Sequence, residues 1–210
     1  GTLSDSTSKI VHCVQQAAYR TGFPVLSDDA VLNIIGLGLP EAMQVLYPQL
    51  NDEEKERIRL AYIDCFLQVD QSPSPFFDGV EDGLQHLKKA GYRMAVATGK
   101  SRRGMNRVLD RLNMQHFFDA SRCADETASK PHPLMLQELL DEFSINADQA
   151  VMVGDTEYDM DMAKQLNMPR AAVSYGAHHI DRMMPYQPSV CIDRFSELVE
   201  WVLQTKKSNF

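Results

Sequence analysis

The chain has 210 residues, of which 44% are hydrophobic, and its formal net charge is -8. This length and apolar content suffice for one substantial core, or for a core domain with a smaller insertion. The acidic balance argues against a surface for nucleic acid or for an anionic membrane. The same balance is ordinary for a cytosolic enzyme, so it does not identify a partner.

The cysteines are far apart and form no CxxC pair, which argues against a zinc site. Scattered thiols in a chain of this size indicate a reducing compartment, so a cytoplasmic location is expected. No apolar run approaches the length of a membrane span, and the visible start of the sequence does not resemble a signal peptide. The cysteines are Cys13, Cys65, Cys123 and Cys191.

Residues 8–68 predict a small all-helical unit, because no strand pattern interrupts them. Apolar residues recur at helical spacing in the first part of this stretch, and Gly22 is placed to end the first helix. Pro40 suits the start of a later helix. Asn51 or Asp52 suits the N-cap of the last and longest one.

The pattern changes after a segment at residues 72–79 that contains two prolines and a glycine and suits an extended linker. Short apolar strands then alternate with helices, which predicts a parallel sheet covered on both faces. The fold class is therefore expected to be α/β. The predicted strands are 93–98, 120–123, 150–153, 170–174 and 191–192, and the predicted helices of this part are 80–90, 101–112, 132–143, 158–166 and 195–205.

Polar residues follow two of these elements in positions that suit anion binding. Thr98 ends a strand, Gly99 lets the backbone turn, and a helix begins at about Ser101. Free N–H groups and a hydroxyl at a helix start form an anion site, although an ordinary cap and turn explains the same residues. Lys130 precedes a proline-rich turn, where it could neutralise a phosphoryl group or be an ordinary solvated lysine.

A pair of carboxylates follows another strand. An apolar run ends in Gly154-Asp155, and Asp159 comes one helical turn later. Ligands bind at the carboxyl ends of strands in open α/β sheets. Two carboxylates held close together repel each other, and a hard cation such as Mg²⁺ relieves that repulsion. The alternative is an N-cap with a first-turn acid, both of which favour the helix dipole.

The order of these motifs resembles the haloacid dehalogenase superfamily of phosphohydrolases. The strand ending in Thr98, then Lys130 before a proline, then Gly-Asp155-x-x-x-Asp159 resemble its second, third and fourth motifs. Residues 1–3, Gly-Thr-Leu, resemble the tail of its first motif, Asp-x-Asp-Gly-Thr-Leu. The helical unit resembles the small cap that some members insert directly after that motif. The resemblance covers essentially the whole chain.

The resemblance implies a Rossmann-like parallel sheet core, residues 1–8 and 78–210, with an inserted small all-helical cap domain, residues 9–77. It implies a Mg²⁺-dependent phosphatase, most similar to the phosphoglycolate phosphatase-like branch, that hydrolyses a small phosphorylated metabolite through an aspartyl-phosphate. A pyrophosphatase or sugar-phosphate mutase on the same core is an alternative, as is an inactive binding or regulatory module. No nucleic acid or membrane is expected as a partner, and the oligomeric state stays open.

The superfamily's chemistry carries over to matching positions. Thr98 and Gly99 resemble the second motif, whose hydroxyl hydrogen-bonds the transferring phosphoryl group. Lys130 resembles the third-motif lysine, which steadies the nucleophile and the phosphate charge. Asp155 resembles the Mg²⁺ ligand of the fourth motif, with Asp159 as its support in the metal site.

The two aspartates of the first motif would immediately precede Gly1 and are not among these 210 residues. The strand that carries them would lie in the middle of the sheet. We therefore expect the natural protein to begin upstream, this chain by itself to be inactive, and an apolar slot to exist where the central strand belongs.

Two further features have more than one explanation. The paired His178 and His179 lie in a glycine loop, where a histidine is more often an exposed polar residue than a metal ligand. The segment Gly36-Leu37-Gly38 either ends a helix or forms a cap loop that closes over the substrate.

Overall fold

A computed structural model describes residues 1–71 and 74–208. Within these ranges the first part of the chain is helical, as its sequence predicts. Gly22 ends the first helix in a left-handed conformation with φ of 77°. Asn51 caps the last one and forms a capping box with Glu54, so Asn51 rather than Asp52 is the N-cap. The helices are α1 (Thr7–Thr21), α2 (Asp28–Leu32), α3 (Leu39–Leu46) and α4 (Asp52–Val69).

These four helices bury an apolar core of their own, in which Val14, Met43, Tyr47 and Ile58 are almost completely inaccessible. This unit is the helical cap of the fold. The residue boundaries 1–8 with 78–210 and 9–77 stay a prediction. Ser72 and Pro73 of the expected linker lie outside the described residues.

Strands and helices alternate after the cap. The strand predicted at 120–123 is confirmed residue for residue, whereas the strand predicted at 150–153 begins two residues later. The helix predicted from His132 begins at Leu134, because Pro133 is its N-cap. These elements are α5 (Val80–Lys89), β1 (Ala95–Thr98), α6 (Arg102–Arg111), β2 (Ala120–Cys123), α7 (Leu134–Phe143), β3 (Met152–Gly154), α8 (Glu157–Lys164), β4 (Arg170–Val173), β5 (Val190–Ile192) and α9 (Phe195–Ser208).

The described strands pair in two parallel groups rather than in one sheet. β1 pairs with β2, and β3, β4 and β5 pair in that order. A cavity is lined by Val96 and Ala97 of β1 and by Asp155, which follows β3. The residues of β1 are only half-buried, in contrast with the fully buried Ala171 and Val173 of β4. The apolar face of β1 thus borders open space in the middle of the core.

Apolar clusters cover both faces of the three-stranded group, as expected for a parallel sheet. One cluster joins Val173 and Ile192 to Phe195 of α9. The other joins Met152 to helices α7 and α8 through Met162 and neighbouring methionines. In the described part of the chain, no helix is both long and apolar enough to cross a membrane.

Candidate active site

The residues that the sequence singles out line one cavity of about 580 Å³ beyond the carboxyl ends of β1 and β3. Within each group the carboxyl ends of the strands lie at one edge because the strands are parallel, and the cavity is lined by residues that follow strands of both groups. The cap supplies largely apolar residues to the same cavity. The core residues are Thr98, Gly99, Lys130, Asp155 and Asp159, and the cap residues include Ile35, Leu37, Leu39, Tyr62 and Phe66.

Asp159 is held by a buried network. Its Oδ1 accepts a hydrogen bond from the ammonium of Lys130 at 2.6 Å. Its Oδ2 accepts from the N–H of Thr156 at 3.1 Å and from the hydroxyl of Thr156 at 2.8 Å. Thr156, not Asp155, is the N-cap of α8, and it forms a capping box with Asp159. The helix cap and the ion pair therefore use the same carboxylate.

Asp155 is buried and is held in a different way. Its Oδ1 accepts from the hydroxyl of Thr2 at 2.8 Å, and its Oδ2 accepts from the N–H of Ala177 at 2.9 Å. Burial by itself disfavours the ionised form of Asp155, whereas the hydrogen bonds from Ala177 and Thr2 and the charge of Lys130 favour it.

The loop after β1 lies against the cap. The hydroxyl of Thr98 accepts from the N–H of Lys100 at 3.2 Å, and Ser101 caps α6 as predicted. A Cβ placed on Gly99 would lie 2.4 Å from the carbonyl oxygen of Leu37 in the cap. Gly99 thus permits the close approach of two backbones, in addition to the tight turn that the sequence indicates.

The segment Gly36-Leu37-Gly38 follows a turn after α2 and contacts the core. The N–H of Gly38 donates to the hydroxyl of Ser129 at 2.7 Å. A Cβ on Gly36, whose φ is 108°, would lie 2.9 Å from the hydroxyl oxygen of Thr156. The segment therefore both ends a helical stretch and seats the cap on the loops that carry Lys130 and Asp159.

The expectation that His178 lies on the surface is wrong, because its side chain is buried. Its Nδ1 accepts from the N–H of Glu157 at 3.2 Å, so its Nε2 carries the proton and donates to the carbonyl oxygen of Asn33 at 3.2 Å. Burial lowers the pKa of His178, which keeps the ring neutral at pH 7. Its neighbour His179 is exposed, as expected. No sequence pattern marks Asn33 as a partner.

The donor chemistry of Asp155 fits a hard cation. Each of its carboxylate oxygens accepts one hydrogen bond and keeps a further lone pair, and Mg²⁺ is commonly bound through one or two carboxylates together with water. At Asp159, Oδ2 accepts two hydrogen bonds from Thr156, and Oδ1 accepts from the ammonium of Lys130, whose positive charge disfavours a cation beside it. Residues 1–71 and 74–208 contain no cluster of three or more acidic, histidine or cysteine side chains suited to a metal.

The haloacid dehalogenase-like hydrolase family model matches residues 1–173. The chain belongs to this family. "Probable phosphatase IndB" of Dickeya dadantii is 35% identical over 203 residues, which are 95% of this chain and 88% of that protein. A phosphoglycolate phosphatase of Vibrio cholerae is 28% identical over 211 residues, 97% of this chain and 93% of that protein. The chain falls in the phosphoglycolate phosphatase-like branch of the superfamily.

Solved structures of haloacid dehalogenase-like proteins share the fold. A "predicted phosphoglycolate phosphatase" from Haemophilus somnus superimposes with a TM-score of 0.87 at 21% identity, covering 96% of this chain and 94% of that one. A haloacid dehalogenase-like family hydrolase from Streptococcus pneumoniae gives a TM-score of 0.84 at 21% identity, with the same coverage. At this identity the likeness shows the fold alone, a Rossmann-like α/β core with a helical cap.

Proposed function

We propose that the protein is a Mg²⁺-dependent phosphatase that hydrolyses a small phosphorylated metabolite, phosphoglycolate or a similar compound, through an aspartyl-phosphate. The observation that carries the proposal is the convergence of Thr98, Lys130 and Asp155 on one cavity beyond the ends of parallel strands. The phosphatases among its relatives support the same reaction class.

Phosphoryl transfer depends mainly on positioning and on neutralising charge. Thr98 would donate its hydroxyl to an oxygen of the phosphoryl group. Lys130, held in place by Asp159, would neutralise charge on that group and on the nucleophile. Asp155 would be a ligand of Mg²⁺, which when bound supplies further charge neutralisation, and Asp159 would support the metal site through Lys130 and Thr156.

The nucleophile in this proposal is an aspartate of an Asp-x-Asp pair that precedes Gly1 on a central strand. Two observations support that placement. A Cβ on Gly1 would lie 1.9 Å from Oδ2 of Asp155, so the backbone preceding Thr2 enters the site itself. Val96 and Ala97 of β1 line the same cavity, so a strand beside β1 would cover these apolar side chains.

The test is hydrolysis of p-nitrophenyl phosphate by the full-length natural protein, with Mg²⁺ and with a chelator. We expect activity that requires Mg²⁺ and falls by about 100-fold or more in Asp155→Asn, because a ligand to the charge-neutralising ion is lost. Asp161→Asn on α8 is the matched control and should keep its activity. Turnover that is indifferent to chelation and to Asp155→Asn would refute the proposal.

Substrate preference separates the alternatives on the same core. Phosphoglycolate, pyrophosphate and a hexose phosphate distinguish a phosphatase from a pyrophosphatase or a mutase, and binding without turnover would identify an inactive module. We also propose a cytoplasmic location. All four cysteines lie in the described ranges and are free thiols, as a reducing compartment favours.

A further inference from the structure

Asn33, the residue after α2, joins the cap to the core segments that flank Asp155. Its carbonyl oxygen accepts from the hydroxyl of Tyr158 at 2.8 Å and from Nε2 of His178 at 3.2 Å. Its side-chain Oδ1 accepts from Nη2 of Arg182 at 2.7 Å. Three side chains of the core thus converge on one residue of the cap.

His178 connects this contact to Asp155. The backbone N–H of His178 donates to the carbonyl oxygen of Asp155 at 3.2 Å. The N–H of the preceding residue, Ala177, donates to Oδ2 of the Asp155 carboxylate at 2.9 Å. The ring of His178 meanwhile bridges Asn33 and the N–H of Glu157, the first residue of α8. One short loop therefore contacts both the cap and the carboxylate.

Arg182 strengthens the same junction. Its guanidinium forms an ion pair with the carboxylate of Glu157, and both side chains are partly buried. With its charge neutralised in this way, the guanidinium also donates to Asn33. Asn33 is thus held by Arg182, which Glu157 of α8 fixes in place, and by His178 of the loop that holds Asp155.

We propose that Asn33 is a positioning residue, which fixes the loop of residues 175–178 when the cap lies on the core and thereby orients the Asp155 carboxylate for its metal. The inference rests on the proposed role of Asp155 as a Mg²⁺ ligand. Its physical basis is that the ring N–H of His178 and the hydroxyl of Tyr158 reach their acceptor, the backbone carbonyl oxygen of Asn33, only while Asn33 stays in place on the core, and a buried donor without its acceptor is costly. Cap docking and metal affinity are then coupled, and the coupling is reciprocal.

The test compares Tyr158→Phe and Asn33→Ala with the wild type, all as full-length protein. The midpoint of thermal unfolding is followed against Mg²⁺ concentration, which reports metal binding without turnover, and kcat and KM are measured alongside. Tyr158→Phe removes a donor to the carbonyl oxygen of Asn33, and Asn33→Ala keeps that carbonyl but removes the acceptor of Arg182. Both variants loosen Asn33 on the core and should need roughly three- to tenfold more Mg²⁺ for the same stabilisation, in line with partners that orient a metal ligand. Asn33→Asp keeps an oxygen for Arg182 and should restore the wild-type Mg²⁺ dependence.

Tyr186→Phe is the matched control, because it is the same chemical change in a ring that packs on Lys164. An unchanged Mg²⁺ dependence in Tyr158→Phe overturns the inference, even where Asn33→Ala does not fold. A wild type that is stabilised by Mg²⁺ but hydrolyses nothing refutes the phosphatase proposal, and the thermal shifts then still decide the role of Asn33. A wild type indifferent to Mg²⁺ refutes both.

Discussion

The ammonium of Lys130 lies 2.6 Å from Oδ1 of Asp159, and both side chains are buried. The two residues are 29 positions apart, one in the loop before α7 and the other in the first turn of α8. A buried ion pair contributes little net stability by itself, but removing one partner leaves an uncompensated charge. The carboxylate of Asp159 therefore holds the ammonium of Lys130 in the site more firmly than water would hold an exposed lysine.

Asp159→Asn should lower the free energy of unfolding by about 3 kcal/mol, because Lys130 is left buried without its counter-charge. Urea denaturation measures the loss, and Asp161→Asn on the same helix is the control. In the double variant with Lys130→Met, the loss should be smaller than the sum of the two single losses. Additive losses would contradict a direct pairing.

Asp70, the C-cap of α4, is a second buried carboxylate with several ionic partners. Its buried carboxylate contacts Lys9 of the cap and Arg107 and Arg111 of α6. We expect Asp70→Asn to cost about 3 kcal/mol of unfolding free energy, since three partly buried cations lose their shared partner. Asp64→Asn, on an exposed pair of the same helix, should cost under about 1 kcal/mol. Equal losses in chemical denaturation would disprove this difference.

Gly99→Ala should weaken the seating of the cap. Its Cβ would meet the carbonyl oxygens of Leu37 and Gly36 at 2.4 and 2.6 Å, and backbone atoms cannot turn away as a flexible side chain can. Hydrogen exchange in residues 33–38 should accelerate, and KM should rise. Gly104→Ala lies in α6 with nothing nearer than 3.4 Å and should be neutral or stabilising by up to about 1 kcal/mol. Unaltered exchange in Gly99→Ala would count against the contact.

Lys100→Met should raise the midpoint of thermal unfolding at pH 7. The ammonium of Lys100 lies 5.4 Å from the ring centre of Phe66, and burial lowers its pKa although Asp70 partly opposes the shift. The unfolded chain therefore binds the proton more tightly than the folded one. Stability of the wild type then rises with pH between the lowered pKa and the usual value of 10.5.

The advantage of Lys100→Met should accordingly shrink as the pH rises through that window. Lys89→Met, at an exposed position of α5, is the control and should show no such trend. Thermal unfolding followed by circular dichroism from pH 7 to 10.5 measures both. If the stability advantage of Lys100→Met over the wild type grew with pH instead of shrinking, this explanation would be refuted.

The sequence by itself determined the helices, the strands and the edge of the core where the chemistry lies. Gly22 ends a helix through its left-handed backbone, and Asn51 and Ser101 begin helices through their capping side chains. Each acts on residues next to it in the chain, so a local sequence pattern is enough to predict these helix ends. The placement of Thr98 and Asp155 at strand ends follows in the same way from short apolar runs.

Only the tertiary structure decided which groups these residues meet. The sequence predicts Asp159 as a first-turn acid or as part of a metal site, but it gives no sign of the contact with Lys130. The sequence predicts an exposed His178, whereas its buried ring is hydrogen-bonded to Asn33, 145 residues away. Such contacts depend on how the cap and the core loops pack. No local pattern encodes that packing, because each partner is an ordinary polar residue in its own segment.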